Sequence, residues 1–481
     1  MNNNDEQQDF RFSRKLSAFD VWTLAFGGII GYGAFVMPGT TFLKGAGVCG
    51  TLAAMQIGAF TMLIISYAYG YMAKKFSVSG GQFIYAEKAF GKKHGFLCAW
   101  FLGLCYLSII PMDSTALSFF FRTIYGDTFK FGLLYTVSGY HVYLGEFLVS
   151  TASLILFAYI TSRGSRLGAV IQNVMVIVLF LGILIVLFAG IFSSEAKLSN
   201  FEPLFYPDDR SPFLQIVSLV IVAPWAFVGF DIVPQVTEET DFSHHKVKVI
   251  MDTCIVASCF VYIALTFLAA AVIPSGYPDW VAYVNNLYRH DSYGAVMTFF
   301  ASYKILGFAG LFIIEAAAVC AVLTGILAFY VATSRLLYAM AREEMMPSWF
   351  GVLNKNGAPF NATLFCMIVS ILTSLLGRRA LGWAVDVASI GGAIGFAYTS
   401  LASWKYSLSE DRKDVAILGM MGFIFSVIFA FLLLVPLPGV STALLSKESY
   451  LILVIWIIMG IIFYCTRVNH VNHQDGEQAE K

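Results

Sequence analysis

Apolar residues along this chain come in repeated runs about 20 residues long, separated by short polar stretches. Twelve such segments lie near 19–43, 48–72, 94–121, 145–162, 168–192, 213–236, 249–273, 305–340, 362–377, 381–404, 415–435 and 449–466. A helix of about 20 apolar residues crosses the hydrocarbon core of a bilayer. The pattern therefore predicts an all-α polytopic membrane protein with twelve transmembrane helices. Composition agrees: of 481 residues, 58% are hydrophobic and 12% charged, with a mean hydropathy of +0.74. A soluble domain carries about 25% charged residues.

An even number of spans puts both ends on one side. Assigning that side to the cytoplasm gives it 20 of the 30 lysines and arginines, as the positive-inside rule requires. The reading is thus a multi-pass protein of the plasma (inner) membrane with both termini cytoplasmic. Residues 1–18 and 467–481 are its tails, and the polar start is unlike a cleavable signal peptide. A net charge of zero, without a basic patch interleaved with aromatics, gives no reason to invoke nucleic acid. The lipid bilayer is the expected partner. The eight cysteines fall mostly inside apolar runs without metal-ligand or disulfide spacing, so they read as small core residues.

Two stretches break the rule that membrane helices keep their backbone bonded. "GGIIGYGAFVMPG" (27–39) puts glycines and Pro38 inside segment 1. Its Gly33-to-Pro38 pattern, G-x-x-x-x-P, recurs from Gly229 to Pro234 in segment 6. Five segments separate the copies, so they enter the membrane from opposite sides, the signature of an inverted repeat with a broken first helix in each half. The halves would be 19–192 and 213–404, with 415–466 as two added helices. A break frees amide and carbonyl groups, which survive in a bilayer only where they line a cavity or touch a ligand. Freed amides suit a carboxylate and freed carbonyls an ammonium. Gly31, Tyr32 and Gly33 are the expected carboxylate donors, and Ala223, Pro224, Trp225, Ala226 and Phe227 the expected amine acceptors. The bland alternative is that Gly27, Gly28, Gly31 and Gly33 only let helices pack closely.

Four stretches resemble the amino acid–polyamine–organocation transporters. These are "RKLSAFDVWTLAFGGIIGYGAFVMPG" (14–39), "SGGQFIYAEKAFGKKHGFLCAW" (79–100), "PWAFVGFDIVPQVTEE" (224–239) and "ATSRLLYAMAREEMMPSWFGVLNKNGAP" (332–359). The resemblance implies a LeuT-like fold of two inverted five-helix repeats plus two helices. It also implies a permease or exchanger, symporter or antiporter, moving amino acids or amines by alternating access. It places Trp225 where some members have an aromatic gate, and Phe329 and Asp231 where one antiporter has a substrate-facing tryptophan and a glutamate. Many members follow a Gln-Asn pair in the fifth helix with a lysine linked to proton coupling. Here Gln172-Asn173 is followed at that place by Leu179. Sodium-coupled relatives use two hydroxyls in the eighth helix, and here Thr324 stands beside Gly325. The coupling ion stays open between H+, Na+ and plain exchange.

The side-chain pocket is then drawn from Ile29, Ile30, Tyr32, Tyr106, Trp225, Phe227 and Phe329, each of which could instead be ordinary packing. Asp231 reads either as a proton or cation carrier or as a cap or salt bridge near a gate. Glu315, 20 residues before Arg335, is about 30 Å from it along a helix and reads as a vestibule or gate contact. Asp113 and Asp386 are placed towards outer helix ends, where they would be solvated. The run Glu238-Glu239-Thr240-Asp241 with His244, His245, Lys246 and Lys248 is read as a solvated cytoplasmic charge run. No intramembrane catalytic set is present, so the chain is read as no enzyme, with no cofactor and no metal. A non-transporting amino acid sensor of the same fold is the competing reading, against which the short tails argue.

Overall fold

The computed structural model describes residues 12, 14–137, 139–290, 292–435 and 445–479, so most of the N-terminal tail and the last two residues lie outside the described residues. Helices α1 (Ala18–Ile29), α2 (Gly33–Met37) and α3 (Lys44–Lys75) come first, followed by α4 (Gln82–Phe90) and α5 (Lys92–Tyr125). An antiparallel hairpin, β1 (Leu133–Val137) and β2 (Tyr140–Tyr143), leads to α6 (Leu144–Ser162) and α7 (Ser165–Phe192). Then come α8 (Pro212–Val220), α9 (Ala223–Ala226), a 3-10 turn over Phe230–Glu239, and α10 (His245–Ala271). The rest is α11 (Trp280–Asn285), α12 (Met297–Arg342), α13 (Phe360–Ser374), α14 (Gly377–Ser409), α15 (Lys413–Leu434) and α16 (Lys447–Ala479).

Among the described residues, nine helical stretches are long and apolar enough to cross a membrane, or ten if α8 and the bent continuation after it form one span. Shorter apolar helices cover α1 and α13. Two of the long stretches turn internally. The stretch Gly33–Lys75 is 43 residues, about 65 Å at 1.5 Å per residue, roughly twice the hydrocarbon core. Gly47, at φ +69°, turns it between the predicted segments 19–43 and 48–72. A Cβ there would stand 2.6 Å from the Phe205 backbone, so only glycine fits. Gly307, at φ +64°, similarly separates Met297–Leu306 from the remainder of α12.

Local sequence explains where the first helix starts and stops. Ser17 and Asp20 form a reciprocal capping box: the Asp20 amide donates to Oγ of Ser17 at 3.3 Å, and the Ser17 amide to Oδ2 of Asp20 at 2.9 Å. The helix ends at Ile29 because Ile30 is extended (φ −89°, ψ 91°). Pro38 then opens a π-helical turn over Pro38–Leu43, since its missing N–H cannot sustain the regular ladder.

Burial sorts the helices into an inner and an outer set. The most apolar windows of α5, α10, α12 and α14 are 67–72% buried inside the protein, whereas those of α7, α15 and α16 are 28% or less. The outer helices expose large apolar side chains such as Phe188 and Ile191. The inner ones pack around the broken α1–α2 and α8–α9 elements.

Candidate functional site

The two breaks face each other. In the first, the carbonyls of Gly31 and Tyr32 accept the amides of Ala34, Phe35 and Val36 at 3.3, 3.1 and 3.2 Å, tightening the start of α2. In the second, Gly229 adopts φ +128° and its amide donates to Oδ1 of Asp231 at 2.9 Å. A Cβ on Gly229 would stand 2.6 Å from the Ile29 amide nitrogen and 2.7 Å from the Gly28 carbonyl carbon. The elements therefore cross backbone to backbone, a contact glycine alone permits. The Tyr262 hydroxyl on α10 lies 3.0 Å from the Ile29 carbonyl oxygen and 2.7 Å from that of Ala226. One hydroxyl thus stands between a carbonyl of each break and donates to one or the other.

A narrow, partly open cleft lies beside this crossing, with a free volume of about 30 Å³. Gly28, Ile29, Gly31, Tyr32 and Gly33 line it from the first break, and Trp225 and Val228 from the second. Ile109, Met112 and Asp113 of α5, Tyr262 of α10, Phe329 of α12 and Val385 of α14 complete it. Gly31, Tyr32 and Trp225 are half-buried, while Phe329 and Tyr262 beneath are buried. The Trp225 indole lies over Gly33, where a Cβ would come within 2.6 Å of the ring.

Of the sequence-derived binding residues, Ile29, Gly31, Tyr32, Gly33, Trp225 and Phe329 line the cleft. Ile30, Ala223 and Phe227 are buried off it, and Ala226 contributes only its carbonyl, to Tyr262. Tyr106 packs against Phe329 with ring centres 5.7 Å apart, but its hydroxyl points away, donating to Oδ2 of Asp231 at 2.5 Å. Glu315 is buried on α12 away from the cleft. Thr324 holds the first break to α12, its hydroxyl 3.3 Å from the Gly27 carbonyl oxygen and 2.8 Å from that of Ala321. The Gln172 amide reaches the Thr23 and Thr324 carbonyls at 3.1 and 3.4 Å. Among the described residues, no group of three or more His, Cys, Asp or Glu side chains converges as a metal site would need.

Below the cleft, towards the N-terminus, the bundle is sealed by polar contacts. Asp231 is fully buried and accepts from the Gly229 amide, Tyr106 and the Gln82 side chain (2.8 Å). Gln235 in turn donates to Gln82 at 2.7 Å. Three donors satisfy a carboxylate that burial alone would penalise. Further down, Arg335 of α12 forms a two-pronged pair with Glu239, Nε to Oε1 at 2.8 Å and Nη2 to Oε2 at 3.2 Å, both side chains 1% exposed. The amides of Lys15 and Leu16 donate to the Glu239 carbonyl, and that of Asp241 to the Leu16 carbonyl.

Two expectations are corrected here. Glu239 is no solvated member of a charge run, because the 3-10 turn carries it under α12 to Arg335. Asp113 is no solvated outer residue: it is 3% exposed and lines the cleft. The helix α5 runs 34 residues, about 51 Å, so counting from its ends misjudges depth. A usable signal was present, since Tyr106, Ile109 and Asp113 follow i, i+3, i+7 spacing on one helical face.

A family model of amino acid permeases matches residues 16–468. The chain belongs to the amino acid permease family. This is a family of membrane transporters, not of enzymes, and it accounts for the apolar helices of this permease. The permease is 24% identical to a methylthioribose transporter of Bacillus subtilis, over 94% of this chain and 93% of that one. It is also 24% identical to a branched-chain amino acid permease of the same organism, over 94% and 92% of the two chains. A similar match, 24% over 96% and 92%, joins it to an arginine/ornithine antiporter of Latilactobacillus sakei.

Proposed function

We propose that this permease moves an amino acid or related amine across the plasma membrane by alternating access, with the cleft at the crossing of the two breaks as its binding site. The observation that carries this reading is the crossing itself, Gly229 seated on the Gly28–Ile29 backbone beside a partly open cleft. Broken membrane helices persist where their freed groups serve a cavity. The reading has twelve spans with both termini cytoplasmic, in two inverted halves (19–192 and 213–404) of LeuT-like design plus 415–466. The broken elements with α3 and α10 would rock against α5, α6, α7, α12, α13 and α14. Trp225 and Phe329 shape the pocket, and Asp231 and the Glu239–Arg335 pair hold the cytoplasmic side shut.

The relatives' names range over branched-chain amino acids, arginine and ornithine, and methylthioribose, so they support transport of small polar metabolites more firmly than any one substrate. Leu179, at the place of the family's lysine, is apolar and buried, which leaves proton or sodium coupling through other groups, or exchange. Purified protein in proteoliposomes, given radiolabelled amino acids and amines under imposed H+ or Na+ gradients and under counterflow, tests the reading. Saturable uptake or exchange of at least one compound is the expected result; none under any gradient would sink it.

A further inference from the structure

The cleft already holds a carboxylate of the protein's own at the first break. A Cβ at Gly31 would stand 3.1 Å from Oδ1 of Asp113, and a Cβ at Gly325 on α12 would collide with Oδ2. Two glycines from different elements thus make the room in which this side chain sits. The seat is built: Asp113 is 3% exposed, and any side chain at Gly325 would evict it. Among the described residues lining the cleft, Asp113 is the one acidic side chain. The remaining wall is largely apolar, with Ile109, Met112, Val228 and Val385 beside Trp225 and Phe329.

We propose that Asp113 is a specificity-determining residue that stands in for the substrate's carboxylate at the break, so that the permease takes small organic amines and rejects their parent α-amino acids. An α-amino acid seated against Gly31 would bring a second carboxylate beside Asp113, and like charges at that range disfavour each other. An amine with an apolar body meets the carboxylate at one end and the apolar wall, Trp225 included, along its length. A positively charged ligand also gains more from a carboxylate in a half-enclosed cleft than from one in water.

This rests on the transport reading above and narrows it. The test uses the purified full-length protein and compounds differing only by the carboxylate: isoamylamine against leucine, phenethylamine against phenylalanine, putrescine against ornithine. Thermal-shift titration and proteoliposome uptake are measured for each. The expected result is at least one pair in which the amine binds and moves at least tenfold better than its amino acid. In that pair, Asp113→Asn lowers the amine's affinity at least tenfold and brings the ratio towards one. Uptake of the amino acids with equal or higher affinity overturns the assignment while leaving the transport reading intact, as does an Asp113→Asn protein that keeps the amine preference. If the variant fails to fold, the wild-type ratio decides alone. Absence of binding and flux for both members of every pair overturns the amine assignment. The transport reading falls with it only if the wider screen of amino acids and amines also shows no flux.

Discussion

The two ends of the cleft are closed by different chemistry. Towards the hairpin-bearing end, the lining is a set of half-buried groups, Gly31, Tyr32 and Trp225, with apolar neighbours Met112 and Val385 packed against the two aromatics. Towards the N-terminus, the seal is two sets of buried polar contacts, Asp231 with Gln82 and Gln235, and Glu239 with Arg335. Apolar contact is non-directional and tolerates sliding, whereas a buried ion pair holds one register and is costly if half broken. The difference teaches how one end can be partly open while the other is locked.

The largest effect should come from the crossing that both ends share. Gly229→Ala forces a side chain into a left-handed backbone position and onto the Gly28–Ile29 backbone, so it should destabilise by at least about 3 kcal/mol and abolish transport. A variant with the wild-type melting temperature would mean that the breaks do not touch as described.

Next comes the lock. Glu239→Ala alone leaves Arg335 buried without its carboxylate and should cost about 3–5 kcal/mol, read as a fall in melting temperature. The Glu239→Ala, Arg335→Ala double variant should be more stable than either single one, because no stranded charge remains. Additive losses would show that the pair is not the closed unit described here.

At the other end, Trp225→Leu should leave the melting temperature almost unchanged. It should raise the KM for uptake about tenfold, equivalent to about 1.4 kcal/mol. A large loss of stability with unchanged KM would make Trp225 a packing residue.

The smallest effect lies outside the membrane spans. Glu410 bonds to Lys75 and Tyr71, and Lys75 holds its carboxyl below the usual range. A depressed carboxyl stabilises the fold above its ordinary pKa and loses that contribution as pH falls through the lowered value. Glu410→Gln should therefore matter only at neutral pH and vanish in acid. The pair is exposed enough that thermal melts should differ by no more than about 1 °C.

Both breaks were legible in the chain because each is written locally, as glycines and a proline inside an apolar run. The G-x-x-x-x-P copies pointed to segments 1 and 6, and Gly33 and Gly229 stand at the ends of the unwound stretches. Trp225 and Phe329 carry no periodic signal of their own and stand out only by family resemblance, and both line the cleft. Tyr106 packs on Phe329 while its hydroxyl anchors Asp231, since sequence spacing gives a helical face but not the partner opposite it.

What the sequence by itself determined is the solvent this chain folds in and where its helices must fail. Hydropathy is summed over 20 residues, and backbone breaks are set by the residue at the break. Only the tertiary structure decided what fills the space around those breaks. Asp113 meets Gly31 and Gly325, Tyr262 stands between Ile29 and Ala226, and Glu239 finds Arg335 across 96 positions of chain. Such contacts join elements remote in sequence, and a carboxylate's surroundings, not its position in the chain, decide whether it is solvated, locked or facing a ligand.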